Sequence, residues 1–145
     1  MSKVSVHGLD LPHDSLSDTE LQKAAEDLGI SHFRGIFMRD ALPPSPRPFE
    51  CGILNHDDDE GPGTHWTCWH KSRGSKAYFD PYGLPPPDEM VEYLQPESLF
   101  STDEFLFSTH EIQRRGTVLC GHICLYVLKL LADGWPLEEA VFSLL

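Results

Sequence analysis

From Cys120 to Leu131 apolar side chains dominate, with Ile123, Val127, Leu130 and Leu131 at helical intervals and Leu125, Tyr126 and Leu128 between them. That pattern predicts a buried helix rather than a strand. Ser17-Asp18-Thr19-Glu20 has the form of a capping box opening a second helix, with Leu21, Ala24, Ala25 and Leu28 on one side and Gly29 as its stop. Shorter helices are expected from Asp88 to Leu94 and from Pro136 to Leu145. The aromatic and β-branched stretch Thr64 to His70, the turn chemistry of Lys71 to Ser75 and the run Lys76 to Asp80 predict a hairpin. Further extended pieces are expected at Gly35-Ile36-Phe37-Met38, Glu50 to Asn55 and Glu104 to Ser108. Four prolines make Ala41 to Pro48 a stiff loop, and Asp57 to Gly63 reads as an acidic turn.

At 145 residues the chain is expected to form one domain, residues 1–145, large enough to bury a core without staples. Charge narrows the partners. Eleven Lys and Arg against 23 Asp and Glu leave a net charge of −12. Phosphate backbones and anionic membranes are repelled on average, so nucleic acid is not the expected partner. Arg114 and Arg115 read as solvated loop charges. No apolar run reaches the ~20 residues of a membrane span, and Met1 to Gly8 lacks the apolar stretch of a secretory signal. Cys51, Cys68, Cys120 and Cys124 show no disulfide framework, so reduced thiols in an intracellular setting are expected.

One of those cysteines has a chemical context. Cys120 falls where a loop ends and the apolar helix begins, so it meets the positive end of the helix dipole, which favours thiolate over thiol. Gly121 leaves room for a substrate backbone, and Gly116 permits a tight preceding loop. His65 lies near the start of one hairpin strand and Asp80 near the end of the other. Counted outward from Arg73-Gly74, the two are expected about opposite one another, within reach of an imidazole–carboxylate hydrogen bond. Such a carboxylate fixes the imidazole tautomer, and the imidazole deprotonates the thiol or holds it as an ion pair. Gln113, seven residues before Cys120, can return its amide to the nucleophile and form an oxyanion hole with the Cys120 N–H.

Taken in order, His65-Trp66, then Phe79-Asp80-Pro81-Tyr82-Gly83, then Gln113 with Cys120-Gly121, the chain resembles the adenovirus endopeptidase (adenain) group of cysteine proteases, relatives of the Ulp-type proteases of ubiquitin-like proteins. The resemblance runs from about Ser17 through Leu131. It implies an α+β fold in which a central helix bearing the nucleophile packs against a mixed sheet bearing histidine and acid. It also implies endopeptidase chemistry through a thioester, on polypeptide substrates with small residues such as glycine near the cut. Under it the catalytic set is His65, Asp80, Gln113 and Cys120, with Trp66 and Gly121 at the substrate. Adenoviral enzymes carry glutamate as the acid, whereas Asp80 leans toward the Ulp-type side. The implied role is processing of capsid or core precursors in a host nucleus, cytoplasm or virion, with an activating peptide left open as a partner. DNA, an activator of the adenoviral enzymes, fits poorly with −12.

Two rivals are weaker on the sequence. A deconjugase for a ubiquitin-like modifier needs a broad gripping surface, for which this chain leaves little room. A binding module on an inactive protease scaffold conflicts with four intact catalytic positions. No cofactor is expected. Cys51, His56, His65 and Cys68 lack the paired spacing of a structural zinc site, and Asp57, Asp58 and Asp59 lack the periodic oxygen ligands of a calcium loop. Cys124, His110 and His122 read as core or surface residues.

Overall fold

The computed structural model describes residues 2–55, 65–72, 74–94, 104–112 and 118–145. Five strands form a mixed sheet in chain order: β3 (Phe33–Met38), β4 (Glu50–Asn55), β5 (Trp66–Ser72), β6 (Ser75–Phe79) and β7 (Glu104–Phe107). The three central strands run antiparallel to one another, while the edges β3 and β7 are each parallel to their neighbour. The expected acidic turn at 57–63 lies outside the described residues.

Helix α3 (Cys120–Ala132) lies on one face of the sheet and α2 (Asp88–Leu94) on the other. Alternation along the strands divides the side chains between them. Cys51, Ile53, Trp66, Cys68, Ala77 and Phe79 pack toward α3, while Leu54, Trp69 and Tyr78 join Met90 and Leu94 of α2. Cover on both sides explains why every residue of β4 is buried. It also explains why α3 is apolar nearly all round: it is the middle layer, with the sheet on one side and other elements on the next.

Those outer elements are α1 (Asp18–Asp27), α4 (Leu137–Phe142) and a hairpin of β1 (Lys3–Val6) with β2 (Leu9–Pro12). The capping box forms as expected: Glu20 N–H donates to Ser17 Oγ at 3.1 Å and Ser17 N–H to Glu20 Oε1 at 3.0 Å. Leu21, Ala24 and Ala25 are the buried face of α1. The N-terminal hairpin was not anticipated. Its signal is present in hindsight, since Val4, Val6, Leu9 and Leu11 flank His7-Gly8, and both turn residues have positive φ.

The 65–80 hairpin forms with a register different from the expected one. Ser72 pairs with Ser75 and Cys68 with Phe79, which puts Asp80 opposite Thr67 rather than His65. His65 and Asp80 are therefore diagonal neighbours two residues out of step. They share a face because the side-chain period is two.

Candidate active site

His65 immediately precedes β5 and Asp80 immediately follows β6, so the hairpin delivers both to the same end of the sheet. The diagonal offset does not separate them: His65 Nε2 donates to Asp80 Oδ1 at 2.7 Å. Asp80 is fully buried, and the same oxygen accepts the Tyr82 N–H at 2.7 Å. The turn after β6 thus orients the carboxylate, which in turn orients the imidazole. With Nε2 committed to Asp80, the ring nitrogen left for a thiol is Nδ1.

Cys120 is the first residue of α3. The cap position, Leu119, offers no side-chain acceptor, and the first turn carries no acidic residue. The first N–H groups of a helix have no partner within it, so they and the dipole leave positive potential at Cys120. The thiol faces His65 closely enough to act on its protonation. Burial alone pushes the His65 pKa down. The hydrogen bond to Asp80 and then the interaction with Cys120 outweigh it, and the pKa is pushed up to about 9. Near neutral pH the imidazole is therefore cationic. An imidazolium beside a cysteine at a helix N-terminus is the counter-charge that a thiolate nucleophile requires.

The other thiols contrast with this one. Cys124 lies one turn further on, donates to Trp66 O at 3.4 Å, and burial raises its pKa well above that of a free thiol. Burial pushes Cys51 up to about 12, with Cys68 and Glu50 adding to the effect, and its Sγ donates to Ser31 O at 3.4 Å. All four cysteines are free and buried. Among the described residues no group of three or more His, Cys, Asp and Glu is arranged to hold a metal ion; His56 of the weighed zinc set lies outside them. His122 is a core histidine whose Nε2 donates to Pro12 O at 2.7 Å, and burial lowers its pKa.

Trp66 and Gly121 are placed in the core beneath the site. The Trp66 indole is buried and donates its N–H to Leu16 O at 3.0 Å. A Cβ on Gly121 would lie 3.0 Å from Leu21 Cδ2 and 3.3 Å from Trp66 Cδ1, so its small size serves the packing of α3 against α1 and Trp66. Gln113, with Arg114, Arg115 and Gly116, lies outside the described residues.

Tyr82, which the sequence offers only as a member of the Phe79-Asp80-Pro81-Tyr82-Gly83 motif, has a closer part. Its ring stacks on His65 with centroids 3.8 Å apart and planes within 1°. The electron-rich face of a phenol favours a cationic imidazole and blocks rotation of the ring away from Asp80. Residues 81 and 82 form a turn beyond the last paired residues, Cys68 and Phe79, so the stacking follows from that turn and has no signal in the strand pattern.

No protein-family model matches the chain, and no curated protein matches it. Solved structures do. The crystal structure of the ASFV pS273R protease matches over 90% of this chain with a TM-score of 0.68 at 17% identity. A selenomethionine form of that protease matches over the same 90%, with a TM-score of 0.61 at 18% identity. In both cases the chain spans 62% of the length of the protease. At this identity the likeness is one of fold: an α+β protein with a mixed sheet, built on the architecture of a protease.

Proposed function

We propose that this chain carries a cysteine endopeptidase domain of the adenain and Ulp type. The observation that supports it most is the joint placement of His65, Asp80 and Cys120, with His65 cationic near neutral pH because Asp80 and Cys120 face it. The shared fold with a protease supports it independently.

The reaction divides into two acyl transfers. Cys120 Sγ attacks the carbonyl carbon of the scissile peptide, forming a C–S bond and a tetrahedral oxyanion. His65 passes its proton to the amine as the C–N bond breaks, leaving a thioester. Water then attacks the thioester while His65 takes up its proton, and the thiolate departs. Asp80 holds the imidazole in the required tautomer throughout. The N–H groups at the start of α3 and the Gln113 amide stabilise the oxyanion. The substrate in this reading is a polypeptide with small or glycine residues at the cut, such as a capsid or core precursor of a virus or virus-like element. The fold shared with an ASFV protease supports the viral setting.

The test uses an electrophilic peptide ending in Gly-Gly, read by intact mass and peptide mapping. One adduct on Cys120 is expected in the wild type, and none in His65→Ala. Cys120→Ala is expected to fold normally and to lose all peptide turnover. An alanine variant that still cleaved would sink the mechanism.

A further inference from the structure

Asp80 uses only one of its two carboxylate oxygens on the catalytic histidine. Oδ1 accepts from His65 and from the Tyr82 N–H, while Oδ2 is buried with no hydrogen-bond partner among the described residues. A second orphan stands on the same face. The Tyr78 hydroxyl, two residues back along β6, is also buried without a partner among those residues. An ionised carboxylate oxygen can only accept, and the phenol has a proton to donate. Thr67 completes the set. It lies opposite Asp80 and diagonal to Tyr78, and its hydroxyl donates to Leu54 O at 3.4 Å, which leaves the Thr67 oxygen as an acceptor. Opposite positions on a hairpin stand about 5 Å apart at Cβ, and diagonal positions or alternate ones along a strand about 7 Å. All three side chains are fully buried. Both neighbours act on the phenol: burial raises its pKa, Thr67 lowers it, and the Asp80 charge raises it again.

We infer that one buried water sits between these groups, accepting from the Tyr78 hydroxyl and donating to Asp80 Oδ2 and Thr67 Oγ1, so that Tyr78 is a positioning residue for the acid. Three hydrogen bonds are what a structural water ordinarily makes, and this one satisfies both orphans. The inference rests on the protease reading and adds a residue to it. Two donors on Oδ1 fix one oxygen but leave the carboxylate free to swing about it. A donor on Oδ2 holds the plane of the group, and with it the bond to His65. The catalytic pair then takes its alignment from a phenol packed in the layer beside α2.

Tyr78→Phe removes the donor and keeps the ring. Its readout is the titration of the His65 imidazole, followed by NMR of the ring nitrogens without substrate. The wild-type ring is expected to titrate at about 9. The variant is expected to titrate at least about half a unit lower, because a carboxylate free to turn favours the cation less. Cleavage of a Gly-Gly aminocoumarin peptide near neutral pH is expected to fall about threefold to tenfold in kcat with KM unchanged. The variant is also expected to melt at a lower temperature, whereas deleting a hydroxyl that bonds to nothing would leave the melt unchanged or raise it. Leu94→Val, which loosens the layer around Tyr78, is expected to lower the melt and leave the ring titration where it was. A ring that titrates as wild type in Tyr78→Phe, a Tyr78→Phe chain that melts no lower, or a Leu94→Val ring that shifts as far would each overturn the inference. A crystal structure of the wild type is expected to show one water within hydrogen-bond distance of all three atoms, and the three atoms bonded otherwise would overturn it too. A wild type that cleaves no peptide defeats the protease reading, while an unmoved ring titration in Tyr78→Phe defeats this one.

Discussion

His65 sits under opposing influences, and their balance sets the pH range of the site. Burial favours the neutral ring, but Asp80 and Cys120 favour the cation, and the result is a pKa of about 9. Peptide cleavage is therefore expected to lose activity on the alkaline side through about 9, as the ring gives up the proton needed by the leaving amine. Asp80→Asn removes the charge that opposes burial. Its alkaline limb is expected to move to ~6.5, the value of an unperturbed histidine, or lower. Its rate near neutral pH is expected to drop by at least about a hundredfold. An unchanged limb in Asp80→Asn would assign that limb to another group. Stability follows the same sign. The folded-state pKa lies above the unfolded one, so the ion pair contributes fully below ~6.5 and its contribution is lost as pH rises through about 9.

At the scale of elements, the face of the sheet remote from α3 is fastened by one buried carboxylate. Glu50 on β4 accepts Trp69 Nε1–H at 2.9 Å and the Tyr93 hydroxyl at 2.6 Å, and Arg34 of β3 lies 3.5 Å away. A single side chain thereby ties β3, β4, β5 and α2 together. Glu50→Ala leaves the indole N–H, the phenol and a largely buried guanidinium without that acceptor. The expected cost is about 3 kcal/mol of stability, or roughly 10 °C in melting temperature for a chain of this size. Cys120 alkylation below the melt is expected to match the wild type, because α3 packs on the opposite face. Denaturant unfolding followed by alkylation kinetics measures both, and slowed alkylation in the folded variant would show that the two layers are coupled.

For the whole molecule the relevant quantity is its charge. At −12 the chain is expected to show no binding to a fluorescein-labelled DNA duplex at micromolar protein in about 50 mM salt, followed by anisotropy. Salt-sensitive binding in that range would reveal a local basic surface that outweighs the total. Among the described residues, no helix is long and apolar enough to cross a membrane.

Local chemistry by itself determined most of the elements: the capped α1, the buried β4, the 65–80 hairpin, α2 and the apolar α3 are all written in short-range periodicity and turn residues. It also determined the order His65, Asp80, Cys120 and the placement of Cys120 at a helix start, because those depend on where elements begin and end. Tertiary structure decided the rest. Register depends on cross-strand packing, so only the folded hairpin set Asp80 opposite Thr67, and only the turn after it set Tyr82 over His65. The Glu50 cluster joins residues from four elements, and the close approach of His110 to Gly83 joins two stretches separated by a helix and a strand. Whether a glycine is a spacer, a packing residue or a seat for another segment depends on what approaches it, and approach is fixed only when distant elements pack.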